Sequence, residues 1–390
     1  MTSSSVVDLL DLAASALSST VVASATIRDF CKPTEADDGA QDTKNTRLKD
    51  DGSFVTDADI AAQHVIVSAL RSISPDIRIV GEESAETSID QDSTNALSEI
   101  VFPLAQQEIR IRHSGANEPP PLAQEDFRVS DETKPTAGTS PPNEGETATK
   151  SSPSSSLFPE PEDCKVDPSR VSVFIDPLDG TKAYARGDYD PVSILIAIIL
   201  DQRPCFGVIC KPFGYEGQTS VLDTGCVAFY GGTLLGGVFV AGGNACSIPT
   251  SENGGTDNLP RAVISSSRSK GVVQDFVTHL GSKGMIHPEP MHISGAGEKS
   301  LRIVLREKNE GLWFFPKGGT SLWDVAASDA LLRAIGGKLT DKFGQELDYN
   351  KSRDEAENED GVIACYDDKL HAECIRLFKE GNWKQQLPEG

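Results

Sequence analysis

The sequence predicts an α/β protein built from two domains. Short runs rich in Val, Ile and Phe, such as residues 171–175, have the length and composition of buried strands. Stretches with apolar residues at helical spacing, such as residues 6–30, alternate with these runs. The polar stretch 251–260 separates a first unit, residues 1–258, from a second unit, residues 259–390. This alternation is typical of packed layers of helices and sheets, so we expect an α+β domain followed by an α/β domain.

Two helices are expected at the amino end. Residues 6–30 predict an amphipathic helix that packs on the body of the protein. A second helix begins after Val55, with Thr56 or Asp57 as its N-cap. Asp59 then lies in the first turn, where an acid usually complements the helix dipole. The carboxylate could equally serve whatever that helix end faces, so both interpretations stay open.

The stretch VSVFIDPLDGTKAY carries the strongest chemical signal. We expect the strand over 171–175 to stop at Asp176 and a proline-stiffened turn to aim Asp176 and Asp179 into one crevice at the carboxyl edge of a sheet. Gly180 and Thr181 follow at a predicted helix start, whose free N–H groups can bind an anion. The pattern indicates a divalent metal that holds a phosphate. The alternative is an ordinary Asp-Pro turn with Asp179 as a helix cap.

A second predicted strand also ends in acids. The strand over 77–80 leads directly into Glu82 and Glu83. Two strands of one domain that end in carboxylates suggest a shared metal site with hard oxygen ligands. Such a site lacks histidine and therefore favours Mg²⁺ over zinc.

Residues 113–160 are expected to be a disordered, acidic insertion. They consist largely of Pro, Ser, Thr, Glu and Gly in low-complexity runs. Such a composition cannot bury enough apolar area to offset the chain entropy. A helix over 96–111 is expected to precede the insertion.

Two segments of the second unit could take part in chemistry. The segment SGAGEKSLRIV, 294–304, is a glycine-bearing turn that leads into a helix, with Lys299 able to reach an anion at the helix start. In the segment 321–341 we predict that Asp324 caps a helix that ends at a pair of glycines and is followed by a strand over 338–340. The capping role alone would explain Asp324.

The charge of the chain restricts its partners. Its 36 Lys and Arg residues against 59 Asp and Glu residues give a formal net charge of −23. This charge repels nucleic acids and anionic membranes, so we expect neither as a partner, whereas a small phosphorylated substrate remains possible where metal ions reverse the local sign. Eight cysteines without a C-x-x-C pair indicate reduced thiols and a cytoplasmic protein, which we expect to be a monomer.

Three motifs taken together resemble a known superfamily. GEES at 81–84, DPLDGT at 176–181 and WD at 323–324 followed by GGKLTD occur in this order. The set is similar to the lithium-sensitive, magnesium-dependent phosphomonoesterases of the inositol monophosphatase superfamily. VTDADIAAQ at 55–63 most resembles the 3′(2′),5′-bisphosphate nucleotidases within it, and the GAG-x-KSL pattern at 295–301 is shared with inositol polyphosphate 1-phosphatase. The long segment 85–167 departs from the family pattern.

The resemblance implies a fold, a cofactor and a set of site residues. The fold would be the two-domain sugar-phosphatase or inositol monophosphatase-like fold, with α-β-α-β-α layers and most metal ligands in the first domain. Two or three Mg²⁺ ions would be held by Glu82, Glu83, Asp176, the carbonyl of Leu178, Asp179 and Asp324. Asp59 and Thr181 would be catalytic by orienting and activating the attacking water, and substrate would be bound by Gly180, Thr181, Lys299 and Asp324.

The resemblance also implies a reaction. The substrate would be adenosine 3′,5′-bisphosphate, which would lose its 3′-phosphate to water without a covalent intermediate. The alternative substrates are inositol 1,4-bisphosphate and an inositol monophosphate. The alternative of a different class is a pseudophosphatase that senses phosphorylated ligands, although Asp59, Thr181 and the four metal-binding carboxylates are all present.

Overall fold

Helices and strands alternate along most of the chain. The computed structural model describes residues 6–31, 46–49, 54–83, 92–116, 122, 164–243, 245–246 and 259–383. Its α-helices are α1 (Leu9–Asp29), α2 (Asp57–Ile73), α3 (Asp92–Ser114), α4 (Thr181–Ala185), α5 (Val272–Ser282), α6 (Ala296–Leu305), α7 (Leu322–Ala334) and α8 (Asp368–Glu380). Its strands are β1 (Val7–Asp8), β2 (Arg47–Leu48), β3 (Phe54–Val55), β4 (Arg78–Gly81), β5 (Lys165–Val166), β6 (Val171–Asp179), β7 (Ser193–Leu200), β8 (Arg203–Lys211), β9 (Val227–Gly232), β10 (Gly237–Val240), β11 (Arg261–Ser265), β12 (Met291–Ile293), β13 (Glu310–Phe315), β14 (Lys338–Thr340) and β15 (Val362–Cys365).

Two sheets organise the fold. The larger has six strands in the order β10-β9-β8-β7-β6-β4, and all of its neighbours are antiparallel except the parallel pair β4 and β6. The smaller has five strands in the order β12-β11-β13-β15-β14 and is mixed. The predicted domain boundary, between residues 258 and 259, lies at the end of the segment 247–258, which is outside the described residues.

The layers follow from the way the strands alternate. On β7, Ile196 faces a core shared with α1, α2 and α3, whereas Leu195 faces a core shared with α6 and α7. On β13, Trp313 faces that same central core, whereas Phe314 faces a third core, which α5 and α8 close. Helices therefore cover both outer faces and also lie between the sheets. The predicted α-β-α-β-α architecture is confirmed.

Helix α1 is not amphipathic, contrary to the prediction. It is buried on nearly all faces, and its buried residues include serines and threonines. Their hydroxyls donate to carbonyls of the same helix, as Thr20 does to Leu17 at 2.7 Å and Ser24 does to Thr20 at 2.7 Å. Because these groups are satisfied within the helix, they can face a core without partners elsewhere. The helix begins after Asp8, whose carboxylate accepts hydrogen bonds from the first turn.

By length and composition alone, α1 could also cross a membrane. It is the one such helix in the described part of the chain. Most of it is buried against α2, α3 and the larger sheet, as in the core helices of proteins that do not enter a membrane.

Helix α3 extends beyond the predicted helix over 96–111. Its last turn contains His113, which is buried and lies 3.0 Å from the carbonyl oxygen of Leu234 through Nδ1. Leu122 is also buried, and its N–H donates to Glu108 at 3.3 Å. The start of the predicted insertion therefore packs on the body. Residues 117–121 and 123–160 lie outside the described residues.

Candidate metal centre

Strand β6 supplies two carboxylates to one side of the site. In a regular strand, residues three apart point to opposite faces. The ladder between β6 and β7 shifts register between Asp176 and Asp179, so a bulge around Pro177 brings both side chains to the same side. We predicted that the strand would stop at Asp176. Instead, it continues to Asp179. The carboxylates converge because of the bulge.

Helix α7 supplies the third carboxylate. Its N-cap is Ser321, one turn before the predicted cap, and Asp324 lies at the third helical position. The Ser321 N–H donates to Asp324 Oδ2 at 2.6 Å, which completes a capping box. One oxygen from each of Asp176, Asp179 and Asp324 lies within 4.8 Å of the others. The cap and the carboxylate cluster therefore use the same side chain.

The electrostatics of this cluster suit a cation. Burial raises the pKa of Asp176 well above its usual range, and repulsion by Glu82, Asp179 and Asp324 raises it further. Burial, followed by repulsion from Asp179, raises the pKa of Asp324 to about 7. Buried acids of like charge favour protonation unless a cation offsets them. The all-oxygen donor set therefore fits a hard divalent cation such as Mg²⁺.

The two glutamates after β4 are adjacent to the cluster but engage a lysine. The N–H of Glu82 donates to the Ile175 carbonyl at 3.0 Å and thereby holds Glu82 beside β6. Lys49 donates to Glu82 Oε1 at 2.8 Å and also to Glu83 Oε1. Burial lowers the pKa of Lys49, but the two ion pairs outweigh burial and raise it. Burial raises the pKa of Glu83, and Lys49 opposes that effect.

Lys49 was not predicted from the sequence. Lys49 lies 33 residues before Glu82 and belongs to no motif of acids. The hairpin of β2 and β3 carries it to the site. Glu82 remains within electrostatic reach of Asp176 and Asp324, whose pKa values its charge raises. Glu83 faces Lys49 and lies outside the close group of three carboxylates.

Asp59 and Thr181, which the resemblance assigns to the attacking water, lie in contact with each other. The Thr181 hydroxyl lies 2.9 Å from Asp59 Oδ1 and 3.0 Å from the carbonyl oxygen of Leu178. The N–H of Thr56, the N-cap of α2, donates to Asp59 Oδ2 at 2.9 Å. Asp59 therefore caps its helix and also contacts Thr181. Burial raises its pKa to about 7, although the hydrogen bonds from Thr56 and Thr181 oppose that rise.

Gly180 allows this meeting. It precedes α4, a helix of five residues, with φ of 87° in the left-handed region that favours glycine. A Cβ at this position would also lie 3.3 Å from the carbonyl oxygen of Pro191. The Leu178 N–H donates to Asp176 Oδ1 at 3.0 Å, so the turn also holds the first carboxylate.

Helix α6 joins the site from the second half of the chain. The Gly297 N–H donates to Asp179 Oδ2 at 2.8 Å, and the Ser193 hydroxyl donates to the same oxygen at 3.1 Å. Lys299 is buried and donates to the Gly295 carbonyl at 2.6 Å. Burial lowers the pKa of Lys299 to about 8, although Asp179 and Asp324 oppose that fall.

Two further cations lie over an aromatic ring on the same face of β13 as the ring under Lys299, and neither was predicted from the sequence. The Lys299 ammonium lies over the ring of Trp313 at 5.3 Å. The Arg268 guanidinium and the Lys317 ammonium lie over the ring of Phe315 at 4.9 and 5.6 Å. Trp313 and Phe315 are two residues apart on β13 and therefore share a face. We call Lys299, Arg268 and Lys317 the cation row.

The sequence comparisons identify a family. The sequence model of the inositol monophosphatase family matches residues 129–380. This range contains Asp176, Asp179, Thr181, Lys299 and Asp324, whereas Asp59, Glu82 and Glu83 precede it.

Curated relatives carry the name 3′(2′),5′-bisphosphate nucleotidase 1. The protein from Dictyostelium discoideum is 26% identical over 335 residues, which cover 83% of this chain and 85% of that protein. The human protein is 31% identical over 197 residues, which cover 49% of this chain and 56% of that protein. The chain thus spans about half the length of the human relative.

Solved structures share the fold. CysQ from Bacteroides thetaiotaomicron, described as a bacterial member of the inositol monophosphatase family, superposes with a TM-score of 0.52 at 16% identity, over 90% of this chain and 96% of that one. The extragenic suppressor protein suhB from Bartonella henselae superposes with a TM-score of 0.51 at 16% identity, over 94% of this chain and 98% of that one. At this level of identity the likeness concerns the fold alone.

Proposed function

The chain belongs to the inositol monophosphatase family and is a metal-dependent phosphomonoesterase, and on that premise we propose that it hydrolyses the 3′-phosphate of adenosine 3′,5′-bisphosphate. Water adds to the phosphorus, the bond from phosphorus to the 3′ oxygen breaks, and the products are AMP and inorganic phosphate. The similarity to bisphosphate nucleotidases from Dictyostelium discoideum and human supports this substrate. The charges at the site support a substrate with two phosphates.

The observation that carries this proposal is that two centres of opposite charge lie within electrostatic reach of each other. Asp176, Asp179 and Asp324 form an acidic centre suited to a cation. Lys299 lies within electrostatic reach of Asp179 and Asp324. Arg268 in turn lies within reach of both Lys299 and Lys317. Within the described part of the chain, no member of the cation row forms an ion pair with a carboxylate. A bisphosphate can place one phosphate at each centre.

The residues at the acidic centre have separate tasks. Asp176, Asp179 and Asp324, with Glu82 beside them, would hold Mg²⁺, which when bound would neutralise phosphoryl oxygens and favour ionisation of the attacking water. When the Thr181 hydroxyl donates to Asp59, its oxygen can accept a hydrogen bond from that water.

Asp59 is placed to receive the proton of the attacking water. Without metal, burial raises the pKa of Asp59 to about 7. A cation bound at the adjacent carboxylates would lower this pKa, so that at neutral pH Asp59 would be ionised and able to accept a proton. The buried Thr181 hydroxyl lies between Asp59 and the turn that carries the metal-binding carboxylates. Water orientation and proton acceptance therefore fall to these two side chains.

Inositol 1,4-bisphosphate is the second candidate, because the cation row could bind its second phosphate equally well. The names of the relatives favour the nucleotide. We would measure phosphate release with Mg²⁺ from adenosine 3′,5′-bisphosphate, adenosine 3′-monophosphate, inositol 1,4-bisphosphate and inositol 1-phosphate. We expect kcat/KM for the nucleotide bisphosphate to exceed that for either monophosphate about tenfold or more, because one phosphate contact contributes about 1–3 kcal/mol. A kcat/KM for inositol 1,4-bisphosphate above that for the nucleotide bisphosphate would favour the second candidate.

Matched variants test the role of the cation row. Lys317→Met should reduce kcat/KM about tenfold for adenosine 3′,5′-bisphosphate and only slightly for adenosine 3′-monophosphate. Lys369→Met makes the same charge change on α8, behind the smaller sheet, and should affect neither substrate. Equal losses with both substrates would refute the two-centre interpretation. Binding of the bisphosphate without any phosphate release would favour the pseudophosphatase alternative.

A further inference from the structure

A buried ion pair joins the larger sheet to helix α6. Lys211, the last residue of β8, is 3% exposed and donates to Glu298 Oε2 at 2.8 Å. Glu298 lies in the first turn of α6, and its Oε1 accepts a hydrogen bond from Arg302 at 2.9 Å. Arg302 in turn lies 3.8 Å from the fully buried Glu310. Arg302 also lies 3.9 Å from Glu307 nearer the surface, so the group contains two cations and three anions.

Such a pair constrains geometry more than it stabilises the fold. Removing each ion from water costs several kcal/mol, and the attraction between the ions repays this only when their geometry is good. Apolar side chains of the same volume often give equal or higher stability. Lys211 and Glu298 therefore call for an explanation in terms of what they hold in place.

The first turn of α6 lies against the acidic centre at very short range. Its Gly297 N–H donates to Asp179 Oδ2 at 2.8 Å. A Cβ on Gly297 would lie 2.1 Å from the Ser193 hydroxyl, and a Cβ on Gly295 would lie 2.7 Å from the Pro191 carbonyl oxygen. Because the two surfaces are in contact, a shift of the helix start would alter the hydrogen bond to Asp179 directly.

Lys211 holds both sides of that contact. Besides Glu298 on α6, its ammonium reaches the carbonyl oxygen of Asp190 at 2.5 Å. Asp190 immediately precedes Pro191, which touches Gly295. One buried cation thus ties the segment 190–193 to the first turn of the helix. Lys299, a member of the cation row, is the next residue after Glu298.

We propose that Lys211 and Glu298 are a positioning pair for the metal centre and the cation row. The pair fixes α6 so that Gly297 and Ser193 both engage Asp179 Oδ2, which restricts rotation of this carboxylate. It also sets the start of the turn from which Lys299 projects. The proposal rests on the proposed function, since it concerns the same site.

The test is Lys211→Met, which keeps the length of the side chain and removes its charge. With Asp179 less restricted, we expect the dissociation constant for Mg²⁺, measured by calorimetry without substrate, to rise about tenfold. At saturating Mg²⁺, we expect KM for adenosine 3′,5′-bisphosphate to rise about tenfold because Lys299 moves, an effect of the size that small displacements produce. KM for adenosine 3′-monophosphate should change little.

Two further variants separate positioning from stability. Arg333→Met breaks another buried ion pair, the one to Asp329 at 2.8 Å. Arg333 lies nine residues after Asp324 on the same helix, about 13 Å away. It should lower the melting temperature and leave Mg²⁺ affinity and KM unchanged. The double variant Lys211→Met/Glu298→Gln removes both charges and leaves no buried carboxylate without its lysine. It should therefore melt at a temperature closer to that of the wild type than Lys211→Met does. Its binding of Mg²⁺ should be as weak as that of Lys211→Met.

The outcomes are distinct. Wild-type Mg²⁺ affinity and KM in the folded double variant would overturn the positioning role, even if Lys211→Met alone failed to fold. If Arg333→Met weakened Mg²⁺ binding and raised KM as much as Lys211→Met does, general destabilisation would explain the effect. That result would also overturn the positioning role. If the wild-type protein released phosphate from none of the substrates, the proposed function would fail, whereas the calorimetric titration would still test the pair.

Discussion

The affinity for Mg²⁺ should depend strongly on pH near neutrality. Burial, and then repulsion by Asp179 and Glu82, raises the pKa of Asp324 to about 7. A carboxyl must lose its proton before it can bind a metal ion, so protons and Mg²⁺ compete for the group. Asp324 would be about nine-tenths ionised at pH 8 and about one-tenth ionised at pH 6. The apparent affinity should therefore be about tenfold weaker at pH 6, which corresponds to about 1.4 kcal/mol.

This factor is a lower bound for the whole cluster. The pKa of Asp176 lies well above its usual range because of burial and three neighbouring carboxylates. Its proton must be displaced as well, which steepens the dependence. Calorimetric titration of the metal-free protein with Mg²⁺ at pH 6, 7 and 8 measures the effect, and a second buffer with a different ionisation enthalpy gives the number of protons released. The same affinity at pH 6 and pH 8 would refute the reasoning.

The folding stability of the metal-free protein should fall as pH rises, whereas its affinity for Mg²⁺ should increase. An acid whose pKa in the folded protein lies above its ordinary value of 3.8 favours folding at low pH. For Asp324 and Asp59, both near 7, that stability is lost as pH rises from about 4 to about 7. The metal-free protein should therefore melt at a lower temperature at pH 8 than at pH 6, and Mg²⁺ should raise the melting temperature more at pH 8. Asp324→Asn should remove the contribution of Asp324 to both effects and leave that of Asp59 in place.

Three further predictions concern single groups of the site. Asp179→Asn keeps the shape of the side chain and should lower turnover at saturating Mg²⁺ at least ~10²-fold, and near-wild-type turnover would contradict its assignment as a ligand. Thr181→Ala and Asp59→Asn should each lower turnover strongly, and the double variant should be little worse than either single variant. Thr181→Ala should leave the Mg²⁺ affinity within a few-fold of the wild-type value. Additive losses in kcat would show that the two residues do not act as a unit. Gly297→Ala should displace the start of α6, because its Cβ would lie 2.1 Å from the Ser193 hydroxyl, and should weaken Mg²⁺ binding in calorimetry; unchanged binding would show that the contact can adjust.

Strand ends were the informative feature of the sequence. Glu82 and Asp176 were each expected beyond a strand. The parallel pairing of β4 with β6 sets Gly81 opposite Ile175 and so brings Glu82 next to Asp176, although β6 continues to Asp179. The convergence of Asp176 with Asp179 was also expected, but for a different reason. A proline after an acid suggests a turn, whereas here Pro177 lies in a bulge that keeps the ladder going. Whether Pro177 lies in a turn or in a bulge depends on how β6 pairs with β7. The sequence of β6 alone does not contain that information.

Side chains that come from distant elements and belong to no recognisable motif could not be predicted. Lys49 reaches Glu82 and Glu83 through a hairpin of two short strands, and no local pattern distinguishes it from any surface lysine. The prediction that α1 is amphipathic was wrong for another reason. Its pattern of serines and threonines resembles a polar face, yet their hydroxyls bond to carbonyls of the same helix and need no water.

The cation row shows why net charge predicts some partners and not others. A chain with a formal charge of −23 repels a long polyanion, because many phosphates sample the whole surface. A single phosphate senses only charges within about one Debye length, roughly 8 Å at physiological salt. Lys299, Arg268 and Lys317 come from α6 and from the loops after β11 and β13, yet they share one face of β13. If this local field binds the second phosphate, KM for adenosine 3′,5′-bisphosphate should rise with ionic strength more steeply than KM for adenosine 3′-monophosphate. Equal salt dependence for the two substrates would place the second phosphate outside the cation row.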